Sequence, residues 1–284
     1  MSTNPKLPTA GLDLAAYPPG FHERLRSRFV RQLIRDEPVA ASTASGGDSQ
    51  IPKVLVRFWH DFGAMPADVQ ACLDSWDGLR ANGFEILTFD DASAAAYIAE
   101  RFGLRHVEAY GRCWHPAMRC DYSRLCYLHA SGGFYVDADD VMTEGRWSLL
   151  YGDDRLKLHP LCYSLADRCL VAMKDVWVTV PPATGHVFYV NNNPLVAPIG
   201  HPVLGRALER ATAVLLAEEE RRDIQATTGP MALTAALAAH ARELARGGQP
   251  RDFTLLRDWD RVGETRWGLS YRADARNWRN VAWS

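Results

Sequence analysis

The chain has 284 residues, of which 47% are hydrophobic and 23% charged, and its formal net charge at pH 7 is −2. This size and composition suit a globular protein with a substantial core, and the near-neutral charge argues against a nucleic-acid partner, which usually selects a basic patch. No apolar run is long enough to span a bilayer, so we expect no transmembrane helix.

The N-terminus and the cysteines indicate a cytoplasmic protein. Residues 1–20 lack the basic start and the apolar core of a secretory signal. The six cysteines form no CxxC pair and lie in apolar surroundings, which is typical of reduced thiols.

Residues 1–50 are predicted to precede the main domain as an arm, an amphipathic helix and a linker. The helix is expected over residues 21–37, where Phe21, Leu25, Phe29 and Leu33 form one apolar stripe. Two interpretations of this stripe are open: peripheral contact with a membrane surface or a partner, and packing on the rest of the chain, which we favour. Residues 38–50 form the small, polar linker.

Residues 51–284 are predicted to form one α/β domain in which strands alternate with helices. Such alternation predicts a mostly parallel central sheet flanked by helices, with ligands bound outside the carboxyl ends of the strands. Several short strands are expected between residues 169 and 198. The expected strands are 51–59, 84–90 and 134–136, and the expected helices are 66–76, 91–103, 116–130, 201–222 and 229–248.

The motif "GGFYVDADD" places Asp137, Asp139 and Asp140 directly after a short apolar strand. Neighbouring carboxylates raise one another's pKa unless a positive charge lies among them, so the cluster is either well solvated or built around a cation. In an extended segment Asp137 and Asp139 would face the same side, and hard carboxylate oxygens suit Mg²⁺ or Mn²⁺. Mg²⁺ usually keeps only one or two protein carboxylates and completes its shell with water and phosphates, so the spacing fits a metal shared with a diphosphate.

The helix before this strand carries Asp121 and Arg124 on one face. A local surface ion pair is one interpretation of this pair. The other is a fixed cation beside the acidic cluster, because the helix leads directly into the acidic strand.

Together these features resemble the DXD sugar-transferase family, which includes yeast-type initiating mannosyltransferases, bacterial capsule transferases and clostridial glucosylating toxins. The resemblance covers about residues 51–230, and its diagnostic part is D-x-x-R followed by GG-x-Y-x-D-x-D. The segments that carry it are "IPKVLVRFW", "SW" at 75–76, "FDD" at 89–91, "MRCDYSRLCYLHASGGFYVDADD" and "NNNP".

The resemblance implies a GT-A fold, a nucleotide-sugar donor and a divalent metal, Mn²⁺ or Mg²⁺. It implies that Trp59 stacks on the base and that Tyr135 lines the donor pocket. It also implies that Asp139 binds the metal and that Asp137 contacts the ribose, metal-bound water or the metal itself. It further implies that donor contacts come from a set of polar residues and a tail tryptophan, namely Asp121, Arg124, Asn191, Asn193, Thr228 and Trp283, with Trp278 and Ser284 as other tail candidates.

We therefore expect a metal-dependent, retaining hexosyltransferase with a UDP-sugar donor, GDP-mannose being the second choice, and a hydroxyl-bearing acceptor. The alternatives are a haloacid-dehalogenase-like phosphohydrolase, whose nucleophile would be Asp137, and a non-catalytic module that binds sugar nucleotides. A zinc site is disfavoured because only two of its candidate ligands have short, regular spacing. Those candidates are Cys113, His115, Cys120, Cys126 and His129.

Overall fold

A computed structural model describes residues 21–37, 49–217 and 223–280 of the chain. The predicted arm, most of the predicted linker, and Trp283 with Ser284 lie outside these residues. The helices are α1 (Phe21–Asp36), α2 (Ala67–Asp74), α3 (Asp91–Phe102), α4 (Leu104–Gly111), α5 (Pro116–Ser131), α6 (Met173–Val178), α7 (Pro202–Leu216), α8 (Ile224–Thr227) and α9 (Pro230–Arg246).

The strands form a seven-stranded sheet and a separate two-stranded ribbon. The sheet has the order β2-β1-β3-β7-β5-β6, and β8 also pairs with β5; β4 pairs with β9 in the ribbon. Their bounds are β1 (Val54–Phe58), β2 (Glu85–Phe89), β3 (Gly133–Tyr135), β4 (Asp140–Met142), β5 (Leu156–Ser164), β6 (Cys169–Val171), β7 (His186–Ala197), β8 (Phe253–Leu255) and β9 (Gly263–Thr265).

Five strands of the large sheet run in one direction, namely β1, β2, β3, β5 and β8, whereas β6 and β7 run in the other. This architecture confirms the predicted α/β class with a mostly parallel sheet flanked by helices. The antiparallel strand β7 lies between β3 and β5, so its residues reach the carboxyl end of β3 from the opposite direction.

The second half of the chain differs from the prediction. Instead of several short strands between residues 169 and 198, it has β6, the helix α6 and the single long strand β7. The helix α4 and the strand β5 were not predicted. Because β-branched and aromatic residues suit strands only where neighbours can pack on them, composition alone did not resolve this region.

The core has two layers, one on each face of the sheet. Val56 and Tyr135 point into a large cluster lined by α1, α3, α5, α7 and α9, while Leu55 and Phe134 point into a smaller cluster with Trp76. Neighbouring strand residues thus face opposite layers, as the pleat requires.

The helix α1 packs on the sheet. Val30, Leu33 and Ile34 are almost fully buried in the large cluster, and Arg31 donates to the carbonyl oxygen of Pro181. The buried stripe is rotated from the predicted one, since Leu25 and Phe29 are only partly covered. The division of the chain at residue 50 stays a prediction.

None of the helices that the structure describes has the length and apolar character needed to cross a bilayer.

Candidate active site

The aspartates of the DADD motif follow β3, where the chain makes a tight turn. The N–H of Asp140 donates to the carbonyl oxygen of Asp137 at 3.1 Å, and Ala138 and Asp139 form the turn. The segment is therefore a turn and not the extended segment that the sequence analysis assumed. The turn leaves Asp137 and Asp139 on either side of Ala138, and burial, followed by the charge of Asp137, raises the pKa of Asp139.

Asp137 lies between a buried cation and a buried phenol. Its Oδ1 accepts hydrogen bonds from Arg124 at 2.8 Å and from the Tyr135 hydroxyl at 3.0 Å. No hydrogen bond from a described residue engages its Oδ2, and about a third of the side chain, 32%, is exposed. Asp137 thus offers one carboxylate oxygen to a ligand while the other oxygen is fixed.

Asp139 is held by the C-terminal part of the chain. Its Oδ2 accepts hydrogen bonds from the Tyr271 hydroxyl at 2.6 Å and from the guanidinium of Arg272. Both donors belong to residues 267–280, which we call the tail segment. The sequence did not predict this contact.

Asp140 does not face the same site. Its side chain is fully buried and accepts hydrogen bonds from the Asn193 amide and the Thr265 hydroxyl, each at 2.7 Å. Burial, and then the charges of Asp139 and Asp137, raise its pKa to about 8. Asp140 therefore fixes the turn to β7 and β9 and is not a metal ligand in this arrangement.

Arg124 holds the elements of the site together from helix α5. Besides Asp137, its guanidinium donates to the carbonyl oxygen of Asn192 at 2.7 Å and lies 3.1 Å from Oδ1 of Asp121. It also stacks over the Tyr135 ring, 4.1 Å from the centroid. Only 3% of the side chain is exposed, so the predicted pair is a buried network and not a surface ion pair.

Asp121 also has partners on both carboxylate oxygens. Oδ1 accepts from the Asn192 side chain at 2.8 Å, and Oδ2 accepts from the Thr228 hydroxyl at 3.2 Å. Burial raises its pKa to about 6, an effect that the charge of Arg124 partly offsets. The predicted Thr228 thus lies beside Asp121, although they are far apart in the sequence.

The asparagine run of β7 enters the site because β7 pairs with β3. The Asn193 side chain accepts from the N–H of Asp137 at 2.9 Å and donates to Asp140, so it fastens both ends of the DADD turn. Asn191 donates to the carbonyl oxygen of Asn193 at 2.5 Å. The side chain that contacts Asp121 belongs to Asn192, which the sequence analysis did not select.

Trp59 is close to the acidic turn but is covered. Its ring is 6% exposed, packs in a cluster with Ala138, and meets the Tyr271 ring edge-on at a centroid distance of 5.4 Å. Stacking of a base on Trp59, as the resemblance implies, would require Tyr271 to move.

The residues present fit a divalent cation. Asp137 and Asp139 supply hard oxygen ligands on one turn. In each carboxylate the tyrosine and the arginine donate to the same oxygen, so the other oxygen is left for a cation. Burial and mutual repulsion raise the pKa of Asp139, which is the electrostatic condition that a bound cation relieves.

Three of the five residues weighed for zinc make other contacts. His115 caps α5 by accepting from the N–H of Ala117, Cys113 lies near the carbonyl oxygen of Ala109, and Cys120 meets the Tyr135 hydroxyl. Within the described ranges, His201, His240 and Asp252 are grouped closely enough to hold a metal ion, and they lie outside the DADD turn.

Three contacts of the site were missed in the sequence, those of Asn192, Tyr271 and Arg272. The run "NNN" was a usable signal for Asn192, because alternation along β7 turns its side chain away from those of its neighbours. No local pattern relates Tyr271 and Arg272 to Asp139, which lies more than a hundred positions earlier.

One family match agrees with the resemblance stated above over part of the chain. Residues 66–153 match the family described as "Glycosyltransferase sugar-binding region containing DXD motif". This range includes α5, β3 and the three aspartates, but not the asparagine run, Thr228 or the tail segment. A solved structure titled "PaToxG Glycosyltransferase" is similar to the chain at 12% identity and a TM-score of 0.46, over 80% of this chain and 82% of that one. No curated protein matches the chain.

Proposed function

We propose that the chain, a DXD-type glycosyltransferase by its residues 66–153, moves a hexose from a nucleotide sugar to a hydroxyl-bearing acceptor with a divalent metal. The observation that carries this proposal is the DADD turn, in which Asp137 and Asp139 stand on either side of Ala138 and Arg124 holds one oxygen of Asp137. A UDP-sugar is the favoured donor and GDP-mannose the second.

Asp137 and Asp139 would hold the metal, Mn²⁺ or Mg²⁺. When bound, the cation supplies a Lewis acid that stabilises the negative charge developing on the departing diphosphate. Arg124 holds Oδ1 of Asp137, which leaves Oδ2 for the ligand. Its contacts with Asn192 and Asp121 fix the guanidinium, so the Asp137 carboxylate is fixed as well.

Asp121 is proposed to orient the donor sugar and not to attack it. Retention through a covalent intermediate would need an available carboxylate beside the sugar carbon. Both oxygens of Asp121 already accept hydrogen bonds and the side chain is nearly buried. This arrangement favours attack on the same face, with a diphosphate oxygen taking the proton of the acceptor.

A screen of UDP- and GDP-sugars with Mn²⁺, read as release of nucleoside diphosphate, tests the proposal. We expect turnover with one donor, loss of turnover with a chelator, and no turnover by Asp139→Ala. The matched control is Asp74→Ala, which removes an exposed carboxylate whose side-chain hydrogen bond among the described residues is with its helix neighbour Gln70. Full activity of Asp139→Ala would refute the metal assignment.

The phosphohydrolase alternative gains no support from the geometry. It needs a downstream lysine near the first aspartate, and Lys157 instead donates to Asp153 and to the carbonyl oxygen of Arg155. Release of phosphate from simple monoesters would be the result that favours it.

A further inference from the structure

The tail segment brings a fixed positive charge to the carboxylate assigned to the metal. The guanidinium of Arg272 forms an ion pair with Oδ2 of Asp139, and the Tyr271 hydroxyl donates to the same oxygen at 2.6 Å. Both side chains are mostly covered: 16% of Arg272 and 13% of Asp139 are exposed. Asp139 is thus engaged by two donors from one short stretch of chain.

The position of Arg272 is fixed by contacts other than the ion pair. Its guanidinium lies 4.7 Å from the centroid of the Trp267 ring. Its carbonyl oxygen accepts from the side chains of Asn277 and Asn280 at 2.9 and 2.8 Å. The stretch is also tied to α2, because Ser270 donates to Asp68 from both its N–H and its hydroxyl. These contacts therefore hold Arg272 next to Asp139, and its side chain does not move freely on the surface.

A divalent cation on Oδ1 of Asp139, the oxygen without a side-chain donor among the described residues, would lie close to the guanidinium on Oδ2 of the same carboxylate. Two positive groups on one carboxylate are only a few ångströms apart, and repulsion at that separation is strong in a partly buried site. The hydrogen bond of the Tyr271 hydroxyl adds a second obstacle, because it keeps Oδ2 from serving as a ligand atom without contributing a charge.

We propose that Arg272 and Tyr271 compete with the divalent cation for Asp139, so that the cation binds weakly while these side chains hold Oδ2 and more tightly once they release it. This inference rests on the proposed role of Asp139 as a metal ligand. The same release would remove one of the side chains that cover Trp59, because the Tyr271 ring meets its ring edge-on. Metal binding and access to Trp59 are then linked through one residue.

Binding of Mn²⁺ alone, without a nucleotide, tests the competition. Bound Mn²⁺ is measured by electron paramagnetic resonance on the full chain, with thermal unfolding to verify that each variant is folded. Arg272→Met is expected to bind Mn²⁺ about tenfold more tightly than the wild type, and Tyr271→Phe about threefold, since each loses a hydrogen bond to a charged group.

Two variants make the result specific. Arg266→Met removes the same charge nearby, but its side chain is 58% exposed and pairs with Glu264, so it should leave the affinity unchanged. Tyr271→Phe changes no charge, so a gain there cannot come from the average potential of the site. The competition is refuted if the affinity for Mn²⁺ rises no more in Arg272→Met than in Arg266→Met, or if Tyr271→Phe has the affinity of the wild type. It is also refuted if no variant binds Mn²⁺ detectably.

Failure of the underlying function is distinguishable. Asp139→Asn should abolish the Mn²⁺ binding seen in the wild type or in Arg272→Met. If Asp139→Asn binds Mn²⁺ as tightly as its parent, the metal assignment itself is wrong. If it loses binding while Arg272→Met shows no gain, the assignment stands and only the competition is excluded.

Discussion

Arg124 illustrates how one side chain organises several elements. Its guanidinium contacts Asp137, Asp121 and the backbone of β7, and each contact uses the planar fork of donors. Lysine could keep the charge, but a single ammonium cannot reach all three partners. The residue therefore matters for geometry as well as for charge.

Arg124→Lys is predicted to lower turnover by about 100-fold or more, because misplacement of the neighbouring carboxylates is costly in an active site. Arg57→Lys is the matched control, since Arg57 is also a buried arginine but donates to Thr88 and to the carbonyl oxygen of Leu73. We expect Arg57→Lys to lose stability and keep its turnover per folded molecule. Equal turnover of the two variants, each corrected for its folded fraction, would contradict the role given to Arg124.

His159 gives the protein a predicted weakness in acid. Its Nδ1 is buried without a hydrogen-bond partner among the residues that the structure describes, and burial lowers the pKa of His159 to about 4. The unfolded chain takes up this proton at a pKa of about 6.5. Between these values the unfolded state binds more protons, so the free energy of unfolding falls as the pH falls.

Denaturant titrations of wild type and His159→Gln test this pH dependence. From about pH 7 to about pH 4.5 the wild type should lose roughly 2 kcal/mol relative to the variant, and the difference should level off near pH 4. Parallel pH profiles of the two proteins would show that the imidazole is accessible to protons in the folded state.

At the scale of elements, the turn between α5 and β3 is the feature that the sequence predicted best. The glycines after the helix indicated its end, and α5 does end at Ser131. Gly133 has φ +111°, a conformation that favours glycine, and an added Cβ would lie 2.8 Å from the carbonyl oxygen of Val54. The turn brings Asp121 and Arg124 next to the acidic residues because it reverses the chain in so little space.

Gly133→Ala is predicted to reduce the free energy of unfolding by at least about 2 kcal/mol more than Gly185→Ala. Gly185 also has a positive φ, +82°, but an added Cβ there meets no atom within 4 Å. The comparison thus separates steric overlap from backbone strain, and chemical denaturation measures both variants. Similar losses would mean that β1 and β3 can separate slightly at little cost.

The strand β7 marks the limit of local reasoning. Its asparagines were selected only through the family resemblance, and their partners followed from a pairing that no local pattern contains. The sequence predicts strands in this region, but neither one long strand nor its antiparallel position between β3 and β5. For this reason Asn193 proved to fasten the DADD turn, a role that the sequence did not indicate.

At the scale of the whole molecule, the helix α1 joins the main core. Glu37, just after the helix, accepts a hydrogen bond from the N–H of Leu255 in β8. The sequence allowed a separate docking helix because an apolar stripe does not identify what covers it. The buried positions Val30, Leu33 and Ile34 answer that question for the described part of the chain.

Ile34→Ala is predicted to reduce the free energy of unfolding by about 2–4 kcal/mol, as expected for a fully buried side chain. The transition should remain single, since the helix shares its core with the sheet. Arg28→Ala, at an exposed position of the same helix, should change stability by less than about 0.5 kcal/mol. A loss confined to a separate early transition would instead make α1 an independent unit.

The ribbon of β4 and β9 determines where the tail segment begins. β9 ends at Thr265, and the next N–H, that of Arg266, donates to the carbonyl oxygen of Asp139 at 2.7 Å. Arg272 is therefore tethered only six residues from the carboxylate it contacts. Its effective concentration there is set by the chain and does not change on dilution. An added guanidinium salt would have to exceed that local concentration before it could replace the tethered side chain.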